Sequence, residues 1–376
     1  MSEIIDKLKM LGAAARYDLC GNCGEGTRYI LGYNRYIHPV VLPDGKRMNL
    51  LKILLTNDCE NNCLYCENRR GRDVKRVMMK PEEIAYVFDI LYRKGMVKGL
   101  FLSSGIRKNS EYTMQQMIDT VKILRSKYEF NGYVHLKILP QTSLQTLKEA
   151  IKVATRVSVN LEAPSEDRLK RIAPMKKYKE DLLKKIDTLS KILQDFPYKD
   201  QTTQFIVGAA EEKDKEIIRV VWDLYTKRKV SRVYYSAFQP IKGTPLENKK
   251  PERLLREHRL YQVDYLFRRY GFKLEDIILD KDGNLSFHKD PKLIWAERHI
   301  HLFPMEINKA PYELLLRIPG IGPRSAKGII KLRKYGIIKE LDTLKKTGCV
   351  VKRAIPFILI NGKCYREKTA QKALFG

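Results

Sequence analysis

Long apolar runs are missing from these 376 residues. No stretch approaches the ~18 residues that a membrane span requires, and the opening Met1-Ser2-Glu3-Ile4-Ile5-Asp6 lacks the basic and apolar blocks of a secretion signal. A soluble, cytoplasmic chain with no membrane partner is expected. Low-complexity tracts are missing too. Cysteine is scarce and odd in number, seven in all, which excludes a disulfide framework and fits a reducing compartment. No Cys or His pair at zinc spacing accompanies His288, His299 and His301, so packing or linking roles are expected for them. Acidic residues are also short, 44 Asp and Glu against 72 Lys and Arg, a formal net charge of +28. A charge-rich surface of the thermophilic kind adds acids along with bases. The unbalanced excess points instead to a polyanionic partner such as nucleic acid.

What the chain does have is Cys59, Cys63 and Cys66 within the run Thr56-Asn57-Asp58-Cys59-Glu60-Asn61-Asn62-Cys63-Leu64-Tyr65-Cys66-Glu67-Asn68, directly after the apolar residues 50–55. That apolar run reads as a buried strand, and the cysteines as a loop at its end. Three thiolates at C-x3-C-x2-C spacing can hold three irons of a [4Fe–4S] cluster, leaving one iron open. The next cysteine is Cys349. An open iron suits a small chelating molecule and a site of chemistry more than an electron wire. A zinc site would want four ligands.

Before this loop, residues 4–16 carry apolar positions at helical spacing. Cys20 and Cys23 follow as a C-x2-C, readable as a metal or redox pair, as a hydrogen-atom donor, or as two ordinary thiols. From residue 50, strands are predicted over 50–55, 99–103, 133–138, 156–161, 202–207 and 232–237. Helices are predicted over 81–94, 113–128, 144–153, 178–194, 213–227 and 252–270. Six strand-helix units imply an α/β fold with parallel strands and right-handed crossovers. A doubly wound sheet and a curved partial barrel both fit, and either would place its chemistry at the C-terminal strand ends.

The motif C-x3-C-x-aromatic-C, with Tyr65 as the aromatic, resembles the signature of the radical S-adenosylmethionine (radical SAM) enzymes. The resemblance implies a (β/α)6 partial TIM barrel over roughly residues 50–270. It also implies a [4Fe–4S] cluster on Cys59, Cys63 and Cys66, whose open iron is chelated by S-adenosylmethionine, and reductive cleavage to a 5′-deoxyadenosyl radical. An electron donor such as ferredoxin or flavodoxin comes with that chemistry. Cofactor contacts carried over from the family fall on Tyr65, on Ser103-Ser104-Gly105 where the family has Gly-Gly-Glu, and on Asn160 and Glu162 at the fourth strand's end. The family's fifth-strand G-x-I-x-G-x-x-E is matched by Ile206, Gly208 and Glu211, with Gln204 replacing the first glycine. Asn160 and Glu162 would share one face of an extended strand. Lys137 could meet a carboxylate or phosphate in the barrel mouth, or reach solvent.

Residues 279–286 contain an Asp-Gly turn and read as a hairpin. Beyond them, Pro319-Gly320-Ile321-Gly322 separates two helical stretches, and the second of these opens with exposed N–H groups suited to phosphate. This segment resembles the helix-hairpin-helix of DNA-processing proteins, which implies DNA contacts from Gly320, Ile321, Gly322, Arg324, Ser325, Lys327 and Lys331. Aligning Gly320 with Gly348 gives a degenerate second hairpin over 341–358, with Cys349 in an apolar slot. Residues 301–376 hold 16 Lys or Arg against 5 Asp or Glu. The expected organisation is an N-terminal helix and loop (1–48), the radical SAM barrel (49–275), a hairpin and linker (276–303) and a small all-α tandem helix-hairpin-helix domain (304–376). The combination resembles radical SAM proteins presumed to modify or repair DNA. An RNA-modifying radical enzyme and a non-catalytic iron–sulfur DNA-binding or sensing protein are the alternatives.

Overall fold

The computed structural model describes residues 2–16, 36–41 and 47–365. They pack as two compact units, Met1–Glu212 with Asp223–Glu257, and Lys213–Trp222 with His258–Gly376. Cys20 and Cys23 lie outside the described residues.

The first unit holds a seven-stranded sheet of β1 (Ile37–Val41), β2 (Arg47–Leu54), β3 (Gly99–Ser103), β4 (Tyr133–Lys137), β5 (Arg156–Ser158), β6 (Asp200–Val207) and β7 (Arg232–Ala237), in that spatial order. From β2 to β7 every neighbouring pair is parallel. The order never reverses, so successive right-handed crossovers all fall on one side of the sheet. A doubly wound sheet would reverse at a switch point. This one is wound in a single direction, as a partial barrel is.

The alternation along each strand explains the two faces. Leu51, Ile53, Leu100, Leu102, Val134, Leu136, Val157, Phe205 and Val233 are buried, and the side chain of Gln201 on the same face of β6 donates to Ile186 and Ser190 of a crossover helix. The opposite, inner face carries Lys52, Ser103, His135, Arg156, Thr202 and Arg232, a polar set for so buried a surface. The crossover helices are α2 (Pro81–Arg93), α3 (Ser110–Ser126), α4 (Leu144–Val153), α5 (Glu166–Lys170) and α6 (Lys184–Ile192), after an N-terminal α1 (Ser2–Ala14). Their starts follow local chemistry. Pro81 takes the first position of α2 while the Glu83 carboxylate accepts from the Lys80 amide, and Asn109, Ser143 and Ser165 cap α3, α4 and α5.

Three differences from expectation have physical causes. β1, antiparallel to β2, is a short edge strand containing Pro39 and gave no periodic signal. β5 stops at Ser158, and Glu162 sits in the left-handed region at φ +64°. The period-two argument that put Asn160 and Glu162 on one strand face therefore does not apply. The helix expected over 178–194 opens with a π-helical segment, Tyr178–Leu183.

The last crossover helix, α7 (Asp214–Thr226), joins β6 to β7, and α8 (Leu254–Tyr270) follows the sheet. The second unit adds α9 (Pro291–Arg298), α10 (Tyr312–Leu315), α11 (Pro323–Arg333), α12 (Leu341–Lys346) and α13 (Val351–Ala354). It is not all-α. A small sheet of β8 (Met305–Glu306), β9 (Ile358–Ile360) and β10 (Lys363–Cys364) joins its helices, strands too short for a periodic pattern to announce. The Asp-Gly turn at Asp282-Gly283 forms with Gly283 at φ +82°, held by the Asp280 carboxylate accepting from Asp282 and Asn284 amides, but no strands flank it. Among the described residues no helix is long and apolar enough to cross a membrane.

Candidate active site and nucleic-acid interface

The cysteine loop leaves β2 at the C-terminal edge of the parallel sheet and is stapled by its own far end. Arg76 donates to four carbonyls, those of Asn57 (2.6 Å), Asn68 (2.9 Å), Arg69 (2.8 Å) and Arg72 (3.0 Å). The Asn57 side chain accepts from the Val77 amide and donates to the Lys75 carbonyl, and Thr56 Oγ1 donates to Val77 O. These bonds satisfy the backbone of an irregular segment that no helix or ladder serves. Gly105 closes the other side. Its N–H donates to Thr56 O, and a Cβ there would lie 2.6 Å from the Asp58 carbonyl oxygen and 3.1 Å from Cys59 Cβ.

Cys59, Cys63 and Cys66 are all free. Burial pushes the Cys63 thiol up, opposed by Lys176. Burial and the neighbouring Cys63 push Cys66 up to about 12, with Cys59 adding to the same effect. Negative charge on a neighbouring sulfur thus disfavours ionisation of Cys63 and of Cys66, a repulsion that the irons of a shared cluster would neutralise. The Asn68 amide donates to Cys66 Sγ at 3.4 Å, a bond of the kind that tunes cluster sulfurs. Among the described residues no three His, Cys, Asp or Glu side chains converge as the shell of one metal ion. A cube takes each thiolate on a different iron, so its ligands need not meet at a point. The donor set and spacing fit a cluster better than zinc.

Beside the loop is a buried charge pair that sequence reasoning only half found. Lys176 Nζ lies 3.3 Å from Glu162 Oε1, with side chains 12% and 5% exposed. Burial, and then the negative charge of the Glu162 carboxylate, hold the Tyr65 phenol well above its usual range. Burial pulls the Lys176 ammonium down, but Cys63 and Glu162 more than offset it, so its pKa is raised. The Leu64 amide donates to Ile172 O, which ties the cysteine loop to the segment that delivers Lys176. Glu162 is further fixed through its backbone, donating to Gln204 O and accepting from the Ile206 amide. A buried carboxylate in a left-handed conformation is the sort of strained arrangement that functional sites retain.

The remaining expected contacts divide. Ser103 and Ser104 end β3 with buried hydroxyls that have no hydrogen-bond partner, so both await an acceptor or donor. Asn160 is buried. Gly208, at φ +88°, begins a turn organised by a carboxylate, but the carboxylate is Glu212. Buried Glu212 accepts from the Gly208 and Ala210 amides at 2.5 and 3.2 Å. Glu211 turns outward to Arg171 and Lys249, its side chain 65% exposed. No motif marks Lys176, Arg76 or Glu212, because tertiary packing and not local spacing brings them in.

In the second unit Gly320 (φ +86°) and Gly348 (φ +83°) occupy matching turns, and the Val350 amide donates to Gly320 O. The two hairpins therefore pair through their turns. Cys349 is buried in the core shared by Ile318, Ile321, Ala326, Leu344 and Phe357. Arg324, Lys327, Lys331 and Lys334 are exposed, and their 3-4-3 spacing follows one face of α11 to its C-cap. Ser325 and Ile321 are buried and Arg333 donates to Ala310 O, so these side chains serve packing. Lys292 is buried and donates to the carbonyl of Ile321 in the hairpin turn. His299 stacks on Trp295 with ring centroids 4.1 Å apart.

The Radical SAM superfamily pattern matches residues 53–223, which span the cysteine loop and the strands around it. Residues 53–223 are thus a radical SAM region. Such a region works with a [4Fe–4S] cluster and S-adenosylmethionine. The helix-hairpin-helix motif matches residues 304–350, the paired turns of the second unit. A probable GTP 3′,8-cyclase from Pyrococcus abyssi is 35% identical over 136 residues, 36% of this chain and 39% of the relative. The chain thus spans about two-fifths of that relative's length. HydG, a maturase of the [FeFe]-hydrogenase, has a TM-score of 0.47 at 19% identity, covering 57% of this chain and 48% of its own. Methylornithine synthase (PylB) has a TM-score of 0.48 at 15% identity, covering 57% and 60%.

Proposed function

We propose that this radical SAM chain cleaves S-adenosylmethionine reductively at a cluster held by Cys59, Cys63 and Cys66, and acts on a nucleotide of DNA gripped by the helix-hairpin-helix. The observation that carries the reading is the stapled three-cysteine loop bonded through its backbone to the end of β3, where Ser103 and Ser104 carry buried, unpartnered hydroxyls. When bound, the cluster and S-adenosylmethionine supply reductive carbon–sulfur cleavage and hydrogen-atom abstraction, with an electron from a donor such as ferredoxin or flavodoxin. The chain's own part is positional. Tyr65 and Glu162 hold one wall of the site, Lys176 compensates negative charge beside the thiolates, and Gly105 lets the strand end approach the loop. On the second unit, the exposed row Arg324, Lys327, Lys331 and Lys334 supplies phosphate contacts that grip without reading sequence. A duplex target would have to be flipped out, at a cost of a few kcal/mol that a damaged base reduces.

A second reading, a free purine nucleotide as substrate, draws on the name of the archaeal relative. RNA as the polymer, and a cluster that senses rather than reacts, are further outcomes of the same test. Anaerobic reconstitution with iron and sulfide, then dithionite and S-adenosylmethionine, should yield 5′-deoxyadenosine, and Cys63→Ala should yield none. A well-formed cluster that makes no deoxyadenosine with DNA, RNA or GTP present would overturn the enzymatic reading. Salt-dependent gel shifts rank DNA against RNA.

A further inference from the structure

We propose that two adjacent rows of side chains on the inner face of the parallel sheet form a phosphate site, through which a nucleotide is held in the barrel. This rests on the reading of the chain as a nucleotide-directed radical enzyme. The strand register sets Lys52, Phe101, His135, Arg156 and Asp200 side by side across β2 to β6. One row nearer the C-terminal ends, Lys137, Ser158, Thr202 and Arg232 are successive register partners, with Ser103 next in line on β3 beside Leu54.

These rows concentrate hydrogen-bonding groups that the fold leaves unused. Ser103 Oγ, Thr202 Oγ1, both ring nitrogens of His135, and Nε and Nη2 of Arg232 are buried without a partner. Ser103 and Thr202 are 1% exposed and His135 is fully buried. Natural proteins satisfy the large majority of such atoms, so a cluster of exceptions on one face calls for a ligand. The groups are mainly donors. Burial, then Arg156 and Lys137, hold the His135 imidazole well below its ordinary pKa, so it is neutral and offers one N–H.

The charge is one-sided. Lys137 and Arg232 stand in the upper row, and the carboxylate of the lower row, Asp200, is engaged by Arg156 in a two-point bond of 2.6 and 2.5 Å. Hydroxyls, a guanidinium and an ammonium arriving from several strands suit a group with oxygens in three dimensions. Phosphate offers that; a planar carboxylate offers two oxygens in one plane. Ser103 also falls among the expected cofactor contacts, whereas Thr202, His135 and Arg232 do not.

The test is calorimetric titration of the full chain with nucleosides, their 5′-monophosphates, and a dinucleotide with an internal phosphodiester. The expected result is at least tenfold tighter binding of a phosphorylated probe than of its nucleoside. Arg232→Gln should abolish that preference, and the near-isosteric Thr202→Val should weaken it several-fold. Tightest binding of monophosphates assigns the site to a free nucleotide, and tightest binding of the dinucleotide assigns it to a residue within a strand. Equal affinity for nucleoside and nucleotide overturns the proposal, as does a folded Arg232→Gln protein that binds like wild type. The wild-type comparison decides even if a variant does not fold. Deoxyadenosine formation in the same preparation separates the failures. Turnover without phosphate preference sinks only this site, and phosphate preference without turnover sinks only the radical reading.

Discussion

At the scale of single residues, two lysines carry opposite electrostatic lessons. Lys176 is kept charged by what surrounds it, so removing it strands Glu162 as a buried, uncompensated carboxylate. Lys176→Met should cost about 3–5 kcal/mol, measured by urea denaturation, and the double variant Lys176→Met/Glu162→Gln should recover most of the loss. Lys292 is the reverse case. Burial, with Arg353 adding repulsion, lowers its pKa to about 7, against roughly 10.4 in an unfolded chain. Between those values the unfolded chain binds the extra proton, so stability should rise as pH climbs from about 7 to about 10. Lys292→Met should flatten that rise, which urea midpoints of both proteins at pH 7 and 9.5 would show.

At the scale of elements, the paired hairpins depend on backbone contact. A Cβ on Gly320 would lie 2.5 Å from Val350 O with φ at +86°, whereas Gly336, also at positive φ, has nothing within 4 Å. Gly320→Ala should therefore cost about 2–4 kcal/mol and Gly336→Ala about 1 kcal/mol, compared by thermal unfolding. Elements of this kind were legible in the sequence wherever cause was local. β3, β7 and α4 fall at the residues their periodicity and caps indicate, and the cysteine spacing marks the cluster loop. Order within the sheet was not legible, because periodicity describes a strand's faces and says nothing of its neighbours. Nor were Arg76, Lys176 and the orphaned row of Thr202 and Arg232. Each looks like an ordinary polar residue until register or packing places it. Glu162 was found by family position, yet its left-handed backbone follows from the early end of β5.

At the scale of the whole molecule, the excess of 72 basic over 44 acidic residues has a visible outlet in the exposed face of α11. The double variant Lys327→Gln/Lys331→Gln should lower the slope of log affinity against log salt by about 2, read from filter binding to DNA, with the unfolding midpoint unchanged. If the chain grips DNA as proposed, the 3-4-3 row of cations has a kinetic consequence. A grip on phosphates is the same at every step along a polymer, so how long the molecule stays anywhere is a property of the salt concentration. On the proposed function, which nucleotide reacts is then decided after arrival, by whether it can leave its stack and enter the barrel within that dwell time. Residence and choice become separate clocks, and ionic strength winds only the first.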